Sequence, residues 1–141
     1  MWLPDANVLL YAVNSDSPNH DLARSWLDKA LSGSRTVAFT WSVLLAFVRL
    51  STHPAIFPRP LEVEEASKQI RAWLRGSTAT IVDPGARHFD LLASLLAVSG
   101  VGGNLVGDAH LAALAIELGA ELVSFDRDFA RFSGLHWTLP S

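Results

Sequence analysis

Short apolar runs alternate along this chain with longer stretches in which apolar residues recur every three or four positions. The first pattern predicts buried strands and the second amphipathic helices. Trp2-Leu3-Pro4 reads as a short strand, although its proline sits badly in a central one. Ala6 to Ala12 is apolar enough for a buried helix, and Asp16 to Asn19 form a loop. Leu22, Ala23, Trp26, Leu27, Ala30 and Leu31 make one apolar helical face, which Gly33 stops. Thr36 to Phe39 is a second strand, and Trp41 to Leu50 a mostly apolar helix broken before Pro54. After a loop at Phe57-Pro58-Arg59-Pro60, Val63, Ala66, Ile70, Trp73 and Leu74 mark an amphipathic helix ending at Gly76. Thr80 to Val82 is a third strand, closed by Asp83-Pro84, and Ala86 to Val98 a leucine-rich helix.

Gly100 to Gly107 reads as a glycine-rich loop, and a helix starts at Asp108. Its apolar run, Leu111 to Leu118, ends at Gly119. Glu121 to Phe125 is a buried strand ending at Asp126, followed by a helical turn from Arg127 to Phe132 and a last strand candidate, His136 to Thr138. Strands and helices alternate throughout, which predicts one α/β domain over residues 1–141 with a mainly parallel sheet.

Composition narrows the class. Half of the 141 residues are hydrophobic and 18% are charged, the balance of a globular chain with a substantial core. There is no cysteine, so neither a disulfide frame nor a thiolate metal site is available. A net charge of -3 argues against a broad DNA-binding surface. A small nucleic-acid site is still open, because nine of the eleven basic residues are arginine, which suits phosphate. The start, Met1-Trp2-Leu3-Pro4-Asp5, lacks the basic stretch of a secretory signal, and no run approaches membrane-span length, so a cytoplasmic location is expected.

The chemistry lies in three acids. Asp5, Asp108 and Asp126 each fall at a strand end or helix start. In an open parallel sheet such positions share one edge, where ligands bind. Acids gathered there repel one another unless a proton or cation intervenes. Mg²⁺ or Mn²⁺ takes hard oxygen ligands and keeps several waters, so one or two direct carboxylates suffice. Such a metal polarises a phosphodiester and acidifies an attacking water. Any one of these aspartates alone is equally a helix cap.

Three stretches carry a family resemblance. Pro4-Asp5-Ala6-Asn7-Val8-Leu9-Leu10 resembles the opening of PIN-domain ribonucleases. Gly107-Asp108-Ala109-His110-Leu111-Ala112-Ala113-Leu114-Ala115 and Ser124-Phe125-Asp126-Arg127-Asp128-Phe129 resemble the third and fourth acidic motifs of that family. The chain is most similar to the VapC toxins of mycobacterial type. The resemblance implies a Mg²⁺-dependent endoribonuclease, a homodimer, a VapB antitoxin as partner, and a parallel sheet of about five strands flanked by helices. Asp5, Asp108 and Asp126 would be its catalytic and metal-binding residues. The chain departs from the pattern on the helix after the second strand. There the family usually carries a glutamate, and the motif places Ala46 in that slot. One branch of these toxins has a small residue there.

Several further residues are candidates for substrate contact. Asn7 can orient an acid or a water through its amide. Thr40 can hydrogen-bond Asp5 or a phosphate, or cap a helix. Arg49 can clamp phosphate or lay its stem along apolar surface. Asn104 lies in the glycine-rich loop, and Asp128 supplements Asp126 or caps the final helix. His110 reads as a helix-surface residue, and Glu62, Glu64 and Glu65 as solvated surface. Two other classes compete with the ribonuclease reading. One is a PIN-like binding module without catalysis, for want of the glutamate. The other is a phosphotransfer fold, which expects a lysine near its strand-end aspartate. Lys29 and Lys68 are the only lysines, and both fall inside amphipathic helices.

Overall fold

The computed structural model describes residues 1–99, 102–103 and 105–141. Five strands are formed: β1 (Trp2–Pro4), β2 (Val37–Thr40), β3 (Ala79–Val82), β4 (Glu121–Val123) and β5 (Trp137–Thr138). The helices are α1 (Ala6–Val13), α2 (His20–Leu31), α3 (Trp41–Ser51), α4 (Val63–Leu74), α5 (His88–Ser99) and α6 (Leu105–Leu118), with a 3-10 turn at Arg127–Arg131. The strands pair in the order β3-β2-β1-β4-β5, and every pairing is parallel.

That order fixes where a ligand site can form. The chain winds from β1 outward through β2 to β3, then returns to the other side of β1 as β4 and β5. Because crossovers are right-handed, reversing the direction of winding moves the helices to the opposite face of the sheet. The helices divide accordingly: α1 packs on α2 and α3, α3 on α4, and α5 on α6. The reversal falls between β1 and β4, and the crevice beyond their carboxyl ends is the switch point of the sheet.

Pro4 is compatible with its central position. Trp2 donates its N–H to Thr36 on the β2 side, and Asp5 donates to Val123 on the β4 side. Backbone groups alternate sides along a strand, so the N–H that Pro4 lacks belongs to the β2 side. There only Trp2 is in register, with Val37, whereas Trp2, Leu3 and Pro4 all pair with β4.

Helix α6 begins three residues before the expected start at Asp108 and takes Gly107 into its first turn. Glycine costs about 1 kcal/mol in a helix interior. The burial of Ala109, Leu111, Ala112, Ala113, Leu114 and Ala115 outweighs that local preference. Gly119 ends the helix with φ of 62°, the left-handed conformation that glycine adopts without strain. Leu3, Phe39, Leu122 and Val123 are fully buried at the centre of the sheet. Among the described residues, no helix is long and apolar enough to cross a membrane.

Leu122 has no exposed surface, so Leu122→Ala should lower unfolding stability by about 3 kcal/mol. Urea denaturation measures this, and a loss below about 1 kcal/mol would show that the β4 face is not packed as described.

Candidate active site

Asp5 follows the last residue of β1 and caps α1. Its backbone is extended, with φ -77° and ψ 163°, and one carboxylate oxygen accepts the N–H of Ala6 at 2.7 Å. The other oxygen accepts from the Ser124 hydroxyl at 2.8 Å and from the Asn7 amide at 3.3 Å. Ser124 lies just past β4 and is fully buried. Its hydroxyl donates to Asp5 and accepts from Asn7 Nδ2 and from the Asp126 N–H, both at 3.0 Å. That uses its one donor and both lone pairs. Asn7 completes the link by accepting the N–H of Phe125 at 3.2 Å. Trp137 of β5 donates its indole N–H to the Ser124 carbonyl at 3.1 Å.

Asp126 caps the 3-10 turn by accepting the N–H of Asp128 at 2.9 Å. Asp108 stands in the first turn of α6 and is half-buried. Its carboxyl is pushed up to about 6, first by burial and then by the charges of Asp5 and Asp126. Arg131 pulls it down and Asp128 adds to the rise. Asp5 is also raised, chiefly by burial; its hydrogen bonds to Ser124 and Ala6 act against this, and Asp126 adds repulsion. The three acids proposed from sequence are thus close enough to oppose one another's ionisation.

The donor chemistry suits Mg²⁺ or Mn²⁺. It is all hard oxygen, and a divalent cation would relieve the repulsion that lifts Asp108. Among the described residues, no group of three or more His, Asp or Glu side chains is arranged to hold a metal ion.

The supporting candidates fare differently. Asn7 is drawn into the cluster by three hydrogen bonds. Asp128 is exposed beside Asp126 and lies 4.0 Å from Arg131. Thr40 ends β2 and is buried, but its hydroxyl makes no cap bond to α3, and the Asp5 bonds come from Ala6, Asn7 and Ser124 instead. Arg49 is exposed in the last turn of α3. Ala46 is half-buried in the same helix. Asn104 lies outside the described residues. Glu62, Glu64 and Glu65 are exposed at the start of α4, where Glu62 and Glu65 form a capping box.

His110 is not a helix-surface residue. It is half-buried, and its Nδ1 lies 2.8 Å from Nε2 of His88, which joins α6 to α5. Burial and then the His88 charge hold its pKa below the usual value. Two further contributors carried no role in the sequence reading. Ser124 had a local signal, a small polar residue between an apolar strand and an acid. Arg131 had none, since only the fold brings its charge to Asp108.

The Asp108 shift sets the sign of a pH effect. An acid whose folded pKa is above its unfolded value of 3.8 withholds ionisation in the native state. Its contribution to stability therefore falls as pH rises from about 4 through about 6. Without metal, Asp108→Asn should melt at a higher temperature than the parent at pH 7, with the difference vanishing near pH 4. Equal melting curves at both pH values would remove the proposed repulsion.

The PIN domain family matches residues 2–135. Ribonuclease VapC37 of Mycobacterium tuberculosis is 54% identical over 140 residues, covering 99% of this chain and 97% of that protein. Among solved structures, a chain of VapBC2 from Rickettsia felis, crystallised bound to a DNA fragment from its promoter, superposes with a TM-score of 0.73 at 22% identity, covering 99% of this chain and 98% of that one. M. tuberculosis VapC20, a sarcin-ricin loop cleaving toxin, gives 0.70 at 16% identity, covering 96% and 99%. The chain belongs to the PIN-domain family, among its VapC ribonucleases.

Proposed function

We propose that this VapC-type ribonuclease is the toxin of a type II toxin–antitoxin pair and cleaves structured RNA, tRNA or rRNA, with Mg²⁺ or Mn²⁺. The observation that carries the reading is the gathering of Asp5, Asp108 and Asp126 from separate elements at the switch point, where burial first and then the neighbouring acids push Asp108 up to about 6. Three acids from separate elements, held together against their own charge, suit a cation site better than independent helix caps. The bound metal supplies Lewis acidity toward the scissile phosphate and its attacking water. The chain's own part is positioning. Ser124 and Asn7 orient the Asp5 carboxylate, and Ser124 also fixes the Asp126 backbone. Arg131 supplies positive charge on the phosphate side.

An RNA read by shape as well as by unpaired bases suits a small single domain. VapC20 is itself a sarcin-ricin loop cleaving toxin, which supports structured RNA as the substrate class here. A VapB-type antitoxin is the expected partner, as in the VapBC complexes of similar fold. Trp41 and Leu45, exposed at 51% and 63% on α3, offer a face for homodimerisation. Ala46, in the slot of the usual glutamate, favours a second reading: a PIN-like module that binds RNA without cutting it.

One assay separates the two. With Mg²⁺ or Mn²⁺ the protein should cleave tRNA or rRNA fragments, and EDTA should stop it. Asp108→Asn should lower the rate at least about a hundredfold with unchanged circular dichroism. RNA bound but never cut would establish the binding module, and cleavage undiminished by EDTA would remove the metal.

The second test adds a charge. Ala46→Glu should bind Mn²⁺ more tightly in calorimetry, because a hard cation gains an oxygen. The same variant should melt lower without metal, because another acid joins the cluster. If both quantities fall together, Ala46 does not lie beside the cation.

A further inference from the structure

A cleft that shares Arg131 with the chemistry above opens beside the last turns of α5. Its volume is about 200 Å³, and its walls include Leu95, Val98 and Ser99 of α5 with Arg131, Phe132 and Ser133. Two features place it next to the reacting edge. Residues 100–104 alone separate α5 from α6, and the two helices pack together, so the last turns of α5 stand beside the first turn of α6, where Asp108 lies. Arg131 belongs to the cleft wall, and its charge also reaches Asp108.

The lining has a recognisable chemistry. Phe132 is 5% exposed and forms an apolar floor, while Val98 is 82% exposed on the lip. The Ser99 hydroxyl donates to the Leu96 carbonyl at 3.1 Å, which leaves it as an acceptor. Arg131 is steadied by its Nε–H bond to the Asp128 carbonyl at 3.2 Å. A space of 200 Å³ matches roughly seven waters, too little for a helix and enough for one ring system. Apolar walls suit the faces of a base, hydroxyls suit its edge, and an arginine suits its phosphate. Arg131 links the cleft to the charge around Asp108, so a base seated there adjoins a phosphate at the carboxylates.

We propose that the cleft between the C-terminal half of α5 and residues 131–133 seats one unpaired nucleobase of the RNA, adjacent to the phosphate held at the carboxylates, with Arg131 spanning the two. The inference rests on the ribonuclease reading and names the feature of the substrate that the site selects: a base free of its stack.

The test uses the whole protein with Ca²⁺, a hard cation for the same oxygen ligands, and an RNA hairpin whose loop carries 4-thiouridine. Photocrosslinking and peptide mapping should place adducts within residues 94–99 or 131–133. Ser94 is exposed on the cleft wall, so Ser94→Trp should fill the space while keeping the melting temperature. It should lower the yield of those adducts at least about tenfold, the scale of one stacked base. Val98→Asp, which puts a carboxylate on the lip, should do the same and serves if the tryptophan variant misfolds. Adducts confined to other surfaces, or an unchanged yield in the folded variant, would overturn the cleft. So would absence of adducts together with a Ser94→Trp variant that shifts the sedimentation coefficient, which would make the cleft a contact between two copies of the chain. Metal-dependent cleavage alongside misplaced adducts sinks the cleft alone; a protein that neither binds nor cuts RNA sinks the ribonuclease reading with it.

Discussion

The Ser124 hydroxyl holds the two halves of this winding together. One half leaves the sheet at Asp5, the other at Asp126, and both are bonded to the same oxygen. The parallel ladder ends at this level, so each half would otherwise leave polar groups facing a buried crevice. Ser124 meets that demand with its full hydrogen-bonding capacity, and Asn7 repeats the connection one layer out. The position of Asp5 therefore depends on contacts made 119 residues away.

Around that joint the fold accepts an unfavourable arrangement. Burial and like charge both raise Asp5 and Asp108, and the hydrogen bonds to Asp5 offset only part of the effect. A chain selected for stability alone would place asparagine or serine at the Asp5 cap, since either satisfies the same N–H group without charge, and an uncharged residue at 108. Local destabilisation kept at a cleft is a common mark of function. The surrounding core makes it tolerable, with Leu3, Val8, Leu9, Leu122 and Val123 fully buried beneath the site.

Much of this was legible in the sequence because the signals are local. Short apolar runs and period-3.6 patterning located the five strands and six helices of the described residues, and the glycine after Leu118 marked the true end of α6. The three acids could be assigned to one edge because strand ends and helix starts share an edge in any parallel sheet. The misses are tertiary. The start of α6 was misread because Gly107 looks like loop until the burial of the following helix is known. The pairing of His88 with His110 crosses 22 residues, and neither histidine has a local pattern that announces it. The role of Arg131 needs the 3-10 turn and α6 to be seen together.

Helix α6 carries a further consequence. From Ala109 onward it presents Ala109, Ala112, Ala113 and Ala115 to neighbours on all sides, each with no exposed surface. No rotamer change can absorb a displacement there, because alanine has none to make. The backbone amides of this stretch can exchange with solvent only when the surrounding layers part, so their protection approaches that of the whole molecule. Asp108 stands one residue before that stretch, so its Cα is tied to the most tightly packed part of the core.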